Sequence, residues 1–230
     1  MHLDIGAALG DGAEPGIDED ALDDLDERVA AAHETIAAGR DDDEFGYAAL
    51  NLPEETDPAG IREAVEPVTD AEYVVTVGIG GSALGAKTVT AALADEPDRH
   101  VILDNVDPEH IERTLDGLPL EETAINVVSK SGTTAETLAN FLVVREAYED
   151  RGVDWTELTV VTTGESGPLA ELVAEHDLPR LPVPDGVPGR FAALSSVGLV
   201  PPAILGVDIE GLLAGAKAGA DDLSPSLYDT

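Results

Sequence analysis

Four short apolar runs recur through the middle of the chain, each followed by a turn-forming segment and then a helical pattern. They are Tyr73-Val74-Val75-Thr76-Val77, Val101-Ile102-Leu103-Asp104, Ala124-Ile125-Asn126-Val127-Val128 and the stretch 158–163. None alternates apolar with polar residues, so neither face of these strands can be solvated. Strands that alternate with helices build a parallel sheet covered on both sides. The expected fold class is therefore α/β, a three-layer αβα sandwich with a five-stranded, mainly parallel sheet. The fifth strand, at 178–183, is interrupted by Pro179 and Pro182 and belongs at an edge. In such sheets ligands bind beyond the carboxyl ends of the strands.

The helical patterns fill the intervals. Residues 17–38 place Leu22, Leu25, Val29, Ala32 and Ile36 three or four apart, with a mostly acidic opposite face. Residues 1–16, with four glycines, read as a loose terminus, and 40–44 as a charged linker. Phe45, Tyr47 and Leu50 are expected to tuck against the domain. Asp57-Pro58 and Asp107-Pro108 are cap-plus-first-turn signatures, which start helices over 57–65 and 107–117. Further helices are expected over 83–93, 135–148, 169–174, 195–205 and 209–220, with Pro201 and Pro202 kinking or dividing the helix over 195–205. The domain division that follows is an N-terminal arm at 1–45, a binding domain at 46–220 and the start of a connection at 221–230.

Charge narrows the partners. Forty-eight acidic residues against twelve basic ones give a formal net charge of -36, while 43% hydrophobic residues still suffice for a core. Such a surface argues against nucleic acid and against an anionic membrane. Self-repulsion on this scale destabilises the compact state in dilute buffer, and at about 1 M salt a Debye length of roughly 3 Å screens most of it. A salt-rich cytoplasm is the expected setting. No cysteine is present, so there is no disulfide or thiolate site. No apolar run near 18 residues and no signal-peptide pattern is visible, and a cytoplasmic location is expected. His2, His33, His100, His110 and His176 lack metal-ligand spacing, so no metal is expected.

Two strand ends carry glycine and hydroxyl loops. Gly78-Ile79-Gly80-Gly81-Ser82 follows the first run, and Ser129-Lys130-Ser131-Gly132-Thr133-Thr134 follows the third. Strand, polar glycine loop and helix N-terminus form an anion site: loop amides and hydroxyls face one point and the helix dipole favours negative charge there. Ser82, Ser129, Ser131 and Thr134 would supply neutral donors, and Gly80, Gly81, Gly132 and Thr133 would line the site. Lys130, one of only three lysines, would supply charge, or its side chain would point away and structure the loop. Thr133 and Glu136 have capping-box spacing, so the helix is expected to start there. Gly189-Arg190-Phe191 returns to the same edge, where Arg190 could stabilise an oxyanion or sit in a surface salt bridge. Glu136 and Glu165 also lie near strand ends, but neither has an obvious catalytic setting. The first loop alone also fits a dinucleotide fingerprint through Gly78, Gly80 and Ala83, with Asp104 as ribose partner, a reading that leaves the second loop unexplained.

Together, the stretch 77–85, the stretch 129–137 and Gly189-Arg190-Phe191 resemble the glucose-6-phosphate isomerase family in order and approximate spacing. The second motif is shared more widely by sugar isomerase (SIS) domains, and the resemblance covers roughly 73–205. It implies a SIS-type, flavodoxin-like sandwich that interconverts glucose 6-phosphate and fructose 6-phosphate through ring opening and a cis-enediol, without metal or cofactor. It implies that Ser82, Ser129, Lys130, Ser131 and Thr134 hold the sugar phosphate, that Gly81 and Gly189 line the site, and that Arg190 stabilises the enediolate. Dimers of a two-domain chain are implied as well. The family's glutamate base, ring-opening histidine and C-terminal lysine lie in a second half with no counterpart in these 230 residues. The chain is thus expected to be an N-terminal half that binds sugar phosphate weakly and isomerises poorly by itself. The alternatives are a non-catalytic SIS module that senses a sugar phosphate, and a dinucleotide-binding oxidoreductase domain.

Overall fold

The computed structural model describes residues 6–10, 12, 14–221 and 225–226. His2 and parts of the terminus and connection read above (1–5, 11, 13, 222–224 and 227–230) lie outside the described residues. Five strands form one sheet: β1 (Tyr73–Val77), β2 (His100–Leu103), β3 (Thr123–Ser129), β4 (Thr159–Thr163) and β5 (Arg180–Leu181). Their order is β2-β1-β3-β4-β5 and every pairing is parallel. β5 is two residues long because Pro179 and Pro182 bracket it, although the Pro179 carbonyl still accepts from Val161 N–H at 2.9 Å.

Alternate residues divide the two faces. Val75, Val77, Ile125, Val127 and Val161 pack against α5 (Pro108–Asp116), α6 (Ala135–Asp150) and α7 (Pro168–His176) through Ile111, Phe141, Val144, Tyr148 and Leu169. Val74, Ala124 and Val160 pack on the other side against α3 (Pro58–Val65), α4 (Leu84–Leu93), α8 (Ser196–Ile204) and α9 (Ile209–Asp221). Both faces are dry, which is why no polar alternation marks the strands. Burying each of these large side chains stabilises the fold by about 1.5–3 kcal/mol. The second face also holds a polar row. Asn126 Nδ2 donates to Thr76 Oγ1 at 3.1 Å, and Thr76 Oγ1 shares a 2.8 Å hydrogen bond with His100 Nε2.

Short side chains start the helices as the dipeptides predict. Asp57 accepts from Ala59 N–H before α3, Asp107 from Glu109 and His110 N–H before α5, and Ser195 from Val197 N–H before α8. Several local expectations need correcting. Within 1–16, residues 6–8 form a 3-10 turn and Leu9 bridges Ile17. Helix α1 (Glu19–Asp41) absorbs the first part of the expected linker. Phe45 is 70% exposed and Leu50 45%, because a 3-10 turn over Tyr47–Leu50 turns the small Ala48 inward instead. Thr134, not Thr133, is the N-cap of α6. Pro201 and Pro202 leave α8 continuous: all nine of its residues are buried, so packing outweighs the missing backbone hydrogen bonds.

Candidate functional site

The strand order reverses between β1 and β3. The chain leaves β1 for β2 on one side and returns to β3 on the other, so the two carboxyl ends diverge and open a crevice. The loop after β1 and the loop after β3 face each other across this point. The sheet therefore brings together the two glycine loops that lie about fifty residues apart in sequence.

The first loop runs through a 3-10 turn over Gly80–Ser82 into α4. Gly80 has φ +56 and Gly81 abuts backbone: a Cβ on Gly81 would lie 2.4 Å from the Gly189 carbonyl carbon. That contact seats the segment carrying Arg190 on the first loop. Ser82 is half-buried, and its hydroxyl has no hydrogen-bond partner among the described residues.

The second loop is braced by its own side chains. Ser131 Oγ accepts from Thr133 N–H at 3.2 Å and lies 2.9 Å from Thr133 Oγ1. Ser129 Oγ and Thr134 Oγ1 lie 3.0 Å apart. Thr134 makes no capping bond, so the first-turn amides of α6 have no side-chain cap and an anion would find them open. With Thr133 turned to Ser131, Glu136 forms no capping box and stands exposed in the first helical turn, while Glu165 is exposed in the loop after β4.

The Lys130 side chain reaches the segment 184–187. Its Nζ donates to the Val187 carbonyl at 3.0 Å and to the Pro184 carbonyl at 3.5 Å. Arg190 is exposed, lies over the Phe191 ring at 4.7 Å and makes no ion pair among the described residues. The loop after β4 forms a further wall that no motif in the sequence marks. Thr163 Oγ1 donates to the Ser129 carbonyl at 2.8 Å, and Leu169 N–H to the Gly132 carbonyl at 3.3 Å. Gly132 has φ +65, and a Cβ there would lie 3.0 Å from the Ser166 carbonyl oxygen. Backbone partners of this kind carry no signal in residue type.

Two cavities lie away from the two glycine loops, and the first borders Pro184, Asp185 and Gly186. One of about 470 Å³ sits among Leu52, Thr56, Ile61, Leu181 and Ser195, and one of about 550 Å³ between α5 and α6. Neither is lined by Ser82, Ser131, Thr134 or Arg190. Among the described residues no group of three or more His, Asp or Glu could hold a metal ion. No helix among them is long and apolar enough to cross a membrane.

Order of strands, dry faces and paired loops define a doubly wound parallel α/β domain of flavodoxin-like strand order. Comparison with known proteins narrows the class. The phosphoglucose isomerase family model matches residues 64–223. Over all 230 residues the chain is 74% identical to a probable glucose-6-phosphate isomerase of the halophilic archaeon Haloarcula marismortui, covering 53% of that protein. It is 43% identical over 180 residues to a glucose-6-phosphate isomerase of Thermus thermophilus, covering 76% of this chain and 43% of that one. It also superposes on the crystal structure of a hypothetical protein from Thermus thermophilus with a TM-score of 0.82 and 37% identity, over 94% of this chain and 52% of that chain. The chain belongs to the phosphoglucose isomerase family. It spans about half the length of the curated relatives it matches. The matched range 64–223 includes both glycine loops and the arginine segment.

Proposed function

We propose that the loops at the β1/β3 crevice hold the phosphate of a six-carbon sugar phosphate, and that the protein takes part in the interconversion of glucose 6-phosphate and fructose 6-phosphate. The observation that carries this reading is the convergence of three segments distant in sequence, through the Gly81–Gly189 contact and the Lys130–Val187 hydrogen bond. In this reading the hydroxyls of Ser82, Ser129, Ser131 and Thr134 and the open amides of α6 hold the phosphate. Gly80, Gly81, Gly132, Thr133 and Gly189 line the site, and Lys130 belongs to the loop that does so. Arg190, which makes no ion pair among the described residues, faces the developing enediolate and stabilises its charge. Phosphate binding fixes the non-reacting end and orients the reacting carbons. Residues 46–220 act as the binding domain, with 1–45 as an arm and 221–230 leading to a connection. The groups that open the ring and move the proton come from the half of the relatives that this chain does not match. By itself the chain binds sugar phosphate weakly and turns it over poorly, and the whole protein is a cytoplasmic homodimer.

Calorimetric titration with 6-phosphogluconate in molar salt tests the site. Binding is expected to weaken roughly tenfold in Thr134→Ala, since a hydrogen bond to a charged group contributes about 1.5–3 kcal/mol. Arg190→Ala should bind inorganic phosphate as before. Protection by NAD with no response to 6-phosphogluconate would sink the reading.

A further inference from the structure

We propose that Lys130 is a positioning residue: its ammonium ties the loop after β3 to the segment that carries Arg190, and it does not act chiefly as a ligand of the anion. The inference takes the roles of those two segments from the proposed function, while the tie itself is a feature of the fold. Lys130 is the first residue after β3. Two of its three N–H groups are directed at the carbonyls of Val187 and Pro184, at 3.0 and 3.5 Å. Charge-assisted hydrogen bonds of this kind are stronger than neutral ones. Among the described residues no other side-chain hydrogen bond reaches 184–188. Pro184 and Pro188 have no N–H to donate. The segment's other anchors include Gly46 N–H on the Gly186 carbonyl at 2.8 Å, the Phe191 N–H on the Pro188 carbonyl at 2.8 Å, the buried Pro188, and the buried Val187 side chain, which packs with Ala48, Leu52 and Val128. Three residues beyond Val187 comes Arg190, and between them Gly189 rests on Gly81. One amine therefore closes a circuit from the second loop, through the proline segment, to the first loop. The anion's positive environment is then supplied by the α6 N-terminus, and Lys130 sets where Arg190 stands at the reacting end of the sugar.

Amide hydrogen exchange over residues 185–191, without ligand and in molar salt, reads the tie directly. Lys130→Met should speed exchange there roughly tenfold, because losing a charge-assisted bond lowers the local opening free energy. Lys130→Arg, which still donates to both carbonyls, should stay within about threefold of the wild type. If Lys130→Met does not fold, Lys130→Gln takes its place. In calorimetry, the neutral variant should lose roughly tenfold in affinity for 6-phosphogluconate and less than about threefold for inorganic phosphate. Unchanged exchange in the neutral variant would overturn the proposal, as would a tenfold loss of affinity for inorganic phosphate. If the wild type bound neither ligand, the proposed function would fall, and exchange would still decide the role of Lys130.

Discussion

Among the described residues, the loop after β1 makes no side-chain hydrogen bond, whereas the loop after β3 is stitched by Ser129–Thr134, Ser131–Thr133, Lys130–Val187 and Thr163–Ser129. Both serve one crevice, yet they are specified differently. The first is shaped by what is missing: Gly81 leaves room for Gly189, and no atom lies within 4 Å of a Cβ placed on Gly80. The second is shaped by what is present. Adding atoms should therefore damage the first, and deleting atoms should damage the second.

The largest effect is expected from Gly81→Val. A Cβ 2.4 Å from backbone cannot be relieved by a rotamer change, so the 189–194 turn must move. A cost of about 3 kcal/mol, at the upper end for overpacking, and loss of 6-phosphogluconate binding should appear in thermal unfolding and calorimetry in molar salt. Gly80→Ala is the control: only its φ of +56 is adverse, and about 1–2 kcal/mol is expected. Equal losses for the two would break the contrast. Thr163→Val comes next. It keeps the shape and deletes the buried 2.8 Å bond to the Ser129 carbonyl, which still accepts from Gly132 N–H at 3.1 Å. About 1–2 kcal/mol should be lost, and Thr163→Ser should recover most of it. Ser131→Ala should be milder, about 0.5–1 kcal/mol in stability, because its bonds are exposed. If Ser131→Ala cost more than Thr163→Val, the bracing would lie within the loop and not in the wall behind it.

The same division explains what could be read from the residues alone. Strands β1 to β4 were legible because buried parallel strands are continuous apolar runs, and β5 because its prolines could only sit at an edge. Both loops were legible as turns at strand ends because glycines and hydroxyls cluster there. The brace of Lys130 was only half legible. Its partners are carbonyls 54 and 57 residues away, and every residue has a carbonyl. Thr163 looked like an ordinary strand residue for the same reason. Local rules allowed Pro201 and Pro202 to divide α8, which burial on every side holds together as one helix. They misjudged Phe45 and Leu50 because a 3-10 turn, with its three-residue period, chose Ala48 as the inward residue.

Beneath both loops, the polar row Asn126–Thr76–His100 crosses β3, β1 and β2, so it should act on the two alike. Burial, with a smaller contribution from Lys87, pushes the His100 imidazole down from 6.5 to about 4. Its Nδ1 is buried without a hydrogen-bond partner among the described residues, so a proton gains nothing there. Between those two values the unfolded chain binds more protons than the folded one, and stability therefore rises with pH. The contribution is complete above about 6.5, declines as pH falls towards 4 and is flat below. At pH 6 the loss should be under about 1 kcal/mol, comparable with the mildest of the loop effects. The many surface carboxylates oppose it, since protonating them relieves repulsion, so the quantity to measure is a difference. Unfolding free energies of wild type and His100→Gln should be compared from pH 7.5 to 4.5 in 2 M salt. The two curves should converge as pH falls, because only the wild type has an imidazole to charge. Parallel curves would mean that His100 keeps ordinary access to water. Convergence accompanied by unequal loosening of the two loops would mean that the row supports one strand end more than the other.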